Sequence, residues 1–437
     1  MARFRCVTWG KTAIWLLLGL LLVQVLSLMG LWLTWPGQSA GVTLSLMVPQ
    51  AEVLYWEPLI EVFEAENKDI QIELAAGAYT PEQIQTIYKA DLQTDQPRYD
   101  LVYMDAVWLP GFASQGWLQD LTAQVSSAAL SEFVSSEVDL GRYQKQLYRL
   151  PFYADIGVML VNQALVNPVG LPTTFNALFD VARSLQPPEQ WSYLWQGQAG
   201  ESLVANFVEV LDGYGGFWID PATQSVGLNQ PEAVRAVQFL QDTLTRSLSP
   251  RTVLGYAEQA SFEQFQTGNT AFLRIWPQFW QRANAVDSPL HDRVGLSTTL
   301  ALPGRVRRGC RGGWGLAIAQ NAAHPEAAWR AVEFFTSAAA QRQFSLASGY
   351  LPSRKALFTE PQLLATYPHF AQLLEQLQTR SVFRPQIPEY EQASQILQTH
   401  LWQVLVGEAT ASAAMQQAAE QTRSLLKEGG QATSAAG

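Results

Sequence analysis

Two carboxylates stand where the sequence places a ligand crevice. Asp105 closes the apolar run Leu101-Val102-Tyr103-Met104, so it sits at the C-terminal end of a predicted strand. Asp155 follows Leu150-Pro151-Phe152-Tyr153-Ala154, at the junction of two predicted α/β sections. Small-molecule sites concentrate in clefts between such sections. A carboxylate there can accept hydrogen bonds from sugar hydroxyls, and charge-assisted bonds are roughly twice as strong as neutral ones. The bland alternative for either residue is a helix cap or a structural turn. As a pair they could also serve glycoside hydrolysis, which requires carboxyl separations of about 5–5.5 or 6.5–9.5 Å.

Tryptophan supplies the second ingredient. Of fifteen, Trp9, Trp15, Trp32 and Trp35 belong to the N-terminal stretch. Others stand beside Gly or Pro in predicted loops: Trp195-Gln196-Gly197, Trp276-Pro277 and Gly312-Gly313-Trp314. The apolar face of a pyranose stacks on an aromatic ring, and an indole N–H can donate to a hydroxyl. Core filling is the ordinary fate of any one Trp. Aromatic platforms and acceptors meeting in one cleft would form a carbohydrate site.

Other chemistries find no support. There is no HExxH, and His291, His324, His369 and His400 are too scattered for a metal site. No G-x-S-x-G elbow and no G-x-G-x-x-G after a strand occur. Gly10-Lys11-Thr12 resembles the end of a phosphate loop, but position 5 is Arg. Asp91 to Asp95 lacks the Gly and the terminal Glu of a calcium loop. Two cysteines, Cys6 and Cys310, exclude a disulfide framework and a Cys-based zinc site. No metal or cofactor is therefore expected, and a catalytic reading would rest on carboxylates alone. The net charge of −10 includes the basic Arg3, Arg5 and Lys11, so the rest of the chain is more acidic still. That field repels phosphate backbones and argues against a nucleic-acid partner.

The elements that must carry these residues read as α/β. Val42 to Val48 is a strand, Glu57 to Asn67 a helix by its apolar spacing, and Asp69 to Ala75 a strictly alternating strand. Thr80-Pro81-Glu82-Gln83 opens a helix with a capping box, and Tyr99 to Met104 is a third strand. This βαβαβ order implies a parallel, doubly wound sheet with its ligand crevice at the strand C-termini. After Pro151, Met159 to Val161 and Ala271 to Ile275 read as strands. Helices are predicted at Thr173–Leu185, Glu201–Leu211, Pro231–Leu244 and Ala260–Thr267. Trp314 to Ala319 is a further strand, Ala327 to Thr336 a helix, and the chain from Ala338 is largely helical. The tail Gly429 to Gly437 is low-complexity and predicted to fray.

At the N-terminus, Ala13 to Trp35 runs 23 residues without a charge. About 20 apolar residues span a bilayer, whereas secretory h-regions hold about 7–15. The basic residues before the run leave the N-terminus in the cytoplasm and export the chain beyond it. The run reads as a membrane anchor, with a signal peptide cleaved near residue 40 as one alternative and a buried core helix as another.

In this order the motifs resemble the extracellular solute-binding proteins of bacterial sugar ABC importers, maltose-binding type, and within them the trehalose/maltose (α-glucoside) branch. The residues that carry the likeness are Leu101 to Asp105 with Trp108, Gly116-Trp117-Leu118 and Leu150 to Gly157. Trp195-Gln196-Gly197 with Glu201, Ala271 to Pro277, Gly312-Gly313-Trp314, Gly349 to Arg354 and Arg384-Pro385 continue it. The resemblance implies a periplasmic-binding-protein-like fold: two doubly wound α/β lobes joined by a multi-strand hinge, preceded by an N-terminal hydrophobic helix. It places residues 1–41 in the signal or anchor, 42–153 and 301–337 in lobe 1, 154–300 and 338–430 in lobe 2, and 431–437 in a disordered tail. Glu52, Tyr79, Asp105, Tyr153, Asp155, Trp276, Gly313, Trp314 and Arg384 fall on or beside the family's sugar-contacting positions. Two departures stand out. Ile84 replaces an Arg after the Glu82-Gln83 pair, and Tyr79 takes the place of a Thr contact; both are expected to reshape one edge of the pocket.

The implied protein is a non-catalytic, monomeric receptor in the periplasm, tethered to the inner membrane by residues 13–35. Its ligand would be a disaccharide or glucoside (trehalose, sucrose, glucosylglycerol or maltose), delivered to ABC permease subunits. A membrane-tethered sugar-sensing ectodomain and a hydrolase using Asp105 and Asp155 are the alternatives.

Overall fold

The computed structural model describes residues 41–77, 80–167, 170–185 and 189–435. The N-terminal apolar run and Tyr79 lie outside them. Among the described residues no helix is long and apolar enough to cross a membrane.

The first section is built on a five-stranded sheet, in the order Ile70–Gly77, Val42–Pro49, Leu101–Asp105, Trp314–Ile318, Leu150–Pro151. The first three strands run parallel, with Leu44 opposite Ile72 and Leu46 opposite Leu101, as the βαβαβ order requires. Trp314–Ile318 returns antiparallel and sets Trp314 directly opposite Asp105. The helix Pro81–Leu92 begins at the predicted capping box, with Thr80 and Gln83 each bonding the other's amide. That satisfies two of the donors a helix start would otherwise leave unpaired.

A second, four-stranded sheet orders Val294–Ser297, Val158–Asn162, Thr270–Ile275 and Trp191–Leu194. The helices Glu201–Tyr214 and Pro231–Thr245 pack on each other. The long helices Tyr390–Val406 and Ala411–Ala435 close over them. The tail expected to fray from residue 431 is helical as far as Ala435.

Between these sections lies a third sheet, in the order Leu351–Pro352, Tyr153–Ile156, Gly309–Gly312, Ser381–Val382. Here Asp155 pairs with Gly312 and Ile156 with Arg311. Leu351, Leu357, Phe358, Tyr367, Phe370 and Leu377 build a small separate core against Ala154 and Ile156. The expected placement of 338–430 wholly with the second section fails for Ala338–Ser348, which packs on the first-section helix Val53–Glu66. The reason is aromatic: Phe344 meets Trp56, Phe152 and Tyr55.

The chain passes from the third sheet into the first at Gly313, whose φ is +129°. A Cβ there would lie 2.8 Å from the Tyr153 carbonyl oxygen and 2.9 Å from a Glu137 oxygen. Only glycine fits such a conformation without strain. Below it, Glu137 is fully buried between Arg311, at 2.8 Å, and Arg149, at 3.9 Å. Arg149 also donates to the Gly313 carbonyl at 3.0 Å.

Candidate functional site

A cleft opens between the two sections at the C-terminal ends of the first-sheet strands, with the third sheet as its floor. It has two halves, of about 430 Å³ and about 650 Å³. They share a waist formed by Pro81, Asp155, Ala257, Glu258 and Trp276.

Asp105 enters the smaller half because its strand ends there. Its Oδ1 caps the following turn by accepting from the Val107 amide at 3.3 Å. Arg384 Nη2 donates to both Asp105 oxygens at 3.2 Å, and its Nη1 donates to Glu201 at 2.9 Å. Glu201 opens the helix Glu201–Tyr214 and also accepts from the Tyr390 hydroxyl at 2.5 Å and from Ser394. The acids here already have their cation. That helix has no side-chain cap of its own; Glu82, from across the cleft, accepts from the Glu201 amide at 3.3 Å.

Asp155 is different. It is buried, accepts from the Ile156 amide at 3.0 Å, and forms no ion pair with a described residue. Burial pushes its carboxyl well above the usual carboxylate range; the negative charges of Glu137 and Asp105 push the same way, against the Ile156 amide and Arg274. Such a group gains from hydroxyl or N–H donors brought by a ligand.

Trp276 flanks it. The Arg274 guanidinium lies 4.3 Å from the Trp276 ring centre, and Nε1 donates to Glu258 at 3.2 Å. A side chain at Gly312 would meet both Asp155, at 3.3 Å, and the Trp276 ring, at 3.4 Å. Arg274 is itself fixed by Glu209, at 2.9 and 2.6 Å, and Glu209 accepts from the Cys310 amide in the third sheet.

The larger half is aromatic. Tyr55, Phe279, Trp314 and Tyr350 line it with Glu52 and Arg282. Glu52 is buried and accepts from Tyr103 at 2.7 Å, Tyr350 at 3.3 Å and Trp56 at 3.4 Å. Burial pushes its carboxyl up to about 7, and the three hydrogen bonds only partly oppose this. Burial first, then the Glu52 charge, raises the Tyr103 and Tyr350 hydroxyls well above their ordinary range, so both stay donors.

Glu52, Asp105, Asp155, Trp276, Gly313, Trp314 and Arg384 thus all line one cleft, while Tyr153 does not. Its ring is buried behind the wall, 4.5 Å from Tyr350. Trp314 opens the strand expected from it, and its ring packs on Tyr103 at 4.9 Å and Trp108 at 5.0 Å. Trp195, read beside a loop glycine, is fully buried, with Nε1 bonded to Thr243 and Ser249. Ile84 is fully buried in the first-section core and does not reach the cleft. The helix instead presents Pro81 and Glu82 there. Gln198, Ser202, Glu258, Tyr55 and Gln398 are lining residues that carry no local signal; Glu201 and Tyr350 lie within motifs of the resemblance. Among the described residues, no three His, Cys, Asp or Glu side chains cluster to hold a metal ion.

An inter-section cleft floored by crossing strands is the setting of a small-molecule binding site. Residues 49–342 match the profile of the bacterial extracellular solute-binding proteins, and the chain belongs to that family. A probable ABC transporter-binding protein of Deinococcus radiodurans is 28% identical over 331 residues, 73% of this chain and 78% of the relative. The maltose-bound MalE3 of T. maritima superposes with a TM-score of 0.83 at 27% identity, over 88% of this chain and all of that one. A solute-binding protein from Agrobacterium radiobacter K84, solved with ribitol, has a TM-score of 0.79 at 25% identity, over 88% and 99% of the two chains.

Proposed function

We propose that this chain is the receptor of a sugar ABC importer. It captures a disaccharide or glucoside in the cleft and delivers it to a permease in the membrane. Trehalose, sucrose, glucosylglycerol and maltose are the candidate ligands. The observation that carries the reading is Asp155: a buried acceptor without a cation, at the waist of a two-part cleft, beside a Trp ring fixed from behind. Ligand hydroxyls would satisfy Asp155 while a pyranose lies against Trp276. The size and two halves of the cleft suit a ligand of at least two units, and the related structures that hold maltose and ribitol support a polyhydroxy solute. The two sections would act as lobes moving about the third sheet.

Binding rather than hydrolysis follows from Asp105. Arg384 engages both its oxygens, which blunts it as a nucleophile or base. Calorimetry of the protein against the four sugars tests the proposal. Saturable binding of at least one, lost in Asp155→Ala without loss of the folded state, is expected. Release of free glucose from any of them, or binding indifferent to Asp155→Ala, overturns it.

A further inference from the structure

Away from the cleft, the turn leading into the strand Gly309–Gly312 carries Arg305-Val306-Arg307-Arg308. Its neighbours extend the same surface. Gly309 donates to the Arg380 carbonyl at 3.2 Å, and the charge of Arg380 acts on Arg307. Phe383 stands three residues beyond Arg380, just past the edge strand Ser381–Val382. On the other side, the Arg305 guanidinium lies against Gly215, two residues before Phe217. Among the described residues, six large hydrophobic side chains are exposed, and three of them, Phe217, Val306 and Phe383, are on this surface.

The four arginines are only half neutralised. Arg308 pairs with Asp212 at 3.3 Å and Arg380 with Glu375 at 3.1 Å. Arg305 and Arg307 form no direct ion pair with a described residue, although the Arg305 charge, like that of Arg308, acts on Asp212. In a chain of net charge −10 this is a local reversal of sign. Cationic guanidinium groups interspersed with exposed phenylalanine match an anionic surface with an apolar layer beneath it.

We propose that this surface rests on an anionic phospholipid bilayer. Charge complementarity is one argument and chain length the other. Only Pro36 to Ala40 separate the uncharged run Ala13–Trp35 from Gly41, a reach of at most about 18 Å when fully extended. Read as an anchor, as the proposal requires, the run holds the body near the membrane surface; basic side chains that come within a Debye length of about 8–10 Å then feel its charge. None of the patch residues lines the cleft, so contact with lipid leaves the cleft free for solute.

Hydrogen exchange on the full chain, reconstituted in vesicles, reads the body separately from the anchor. In vesicles containing phosphatidylglycerol, slowed exchange is expected at 302–309, 379–384 and 215–218. It should vanish in pure phosphatidylcholine or at high salt. Neutralising Arg305 and Arg307 together should raise the phosphatidylglycerol fraction needed for half-protection, by about fivefold in surface affinity per arginine. Equal exchange in the two lipids overturns the proposal, as does a phosphatidylglycerol dependence left unchanged by Arg305→Gln/Arg307→Gln. Protection that grows with protein concentration in detergent instead assigns the patch to a second copy. Protection seen only with other membrane proteins present assigns it to a protein partner, and either result removes the lipid.

Discussion

The two halves of the cleft solve the same problem in opposite ways. In the smaller half, Asp105 and Glu201 are held by Arg384, and Tyr390 and Ser394 complete the arrangement. In the larger half and at the waist, Glu52 and Asp155 are buried without an ion-pair partner. A buried pair is strongly destabilised when one partner is removed, because the other charge is left alone. A buried acid without a cation is already in that condition; Tyr103, Tyr350 and Trp56 relieve Glu52 in part, and protonation or a donor from outside relieves the rest. The first half should therefore behave as structure that also touches ligand, and the second as a site waiting for one.

Arg384 gives the largest break between them. Arg384→Ala leaves Asp105 and Glu201 facing each other in a buried site, and should cost about 3–5 kcal/mol of stability. Denaturant unfolding followed by fluorescence measures it. A loss below about 1 kcal/mol would show that the small half is solvated rather than structural, and the contrast would collapse.

Glu52 tests the other side through pH. Its carboxyl is raised from 4.5 to about 7 in the folded protein, chiefly by burial. Between those values the folded chain holds a proton that the unfolded chain releases. The stabilisation is therefore complete below about pH 4.5 and is lost as pH rises through 7, amounting to roughly 3 kcal/mol. Melting temperatures of wild type and Glu52→Gln should diverge from pH 5 to pH 8, with the wild type falling further. Gln keeps an acceptor for the Tyr103 hydroxyl while removing the charge. Parallel curves would mean that Glu52 does not titrate in this range.

Asp155 sharpens the contrast at the waist. Asp155→Asn should weaken sugar binding by about 1–3 kcal/mol, roughly fivefold to 150-fold, through imperfectly paired ligand donors. Its unfolding midpoint should stay level or rise, because a buried carboxyl without an ion-pair partner gives way to a neutral amide. A fall in stability comparable with that of Arg384→Ala would show that Asp155 is structural too.

Much of this arrangement was legible in the residue order, for local reasons. Strand alternation and the Thr80 capping box set the first three strands and their helices, and a parallel sheet then puts Asp105 at the crevice. The third sheet was not legible. Gly309-Cys310-Arg311-Gly312 has neither alternation nor β-branched residues, and it is a strand because Asp155 and Ile156 pair with it. That miss put Gly312-Gly313, just before the expected strand from Trp314, in a loop. Ile84 failed for a related reason. Position along the helix does not reveal which face turns inward, and the apolar side chain went to the core. Glu258 and Gln198 reach the cleft only through the packing of the second section, which no local spacing encodes.

The smallest expected effect separates the two tryptophans of the cleft. Trp314 is 7% exposed, with Tyr103 and Trp108 against it, so its ring is part of the first-section core as well as the wall. Trp276 is half-buried at the edge of the main core, with the Arg274 guanidinium and Glu258 also fixing it. Trp276→Leu loses part of its packing and one cation–π contact to the buried Arg274, the latter about 1–2 kcal/mol in stability. It also removes a stacking face for the sugar, which should weaken binding by about 0.5–1.5 kcal/mol, or roughly twofold to tenfold. Trp314→Leu opens a cavity among aromatic rings and should lower the unfolding midpoint more than Trp276→Leu does. Calorimetry and thermal melts on both variants give the pattern. If Trp276→Leu is the more destabilising of the two and binds sugar normally, its ring is packing rather than platform, and the waist then holds its ligand by hydrogen bonds alone.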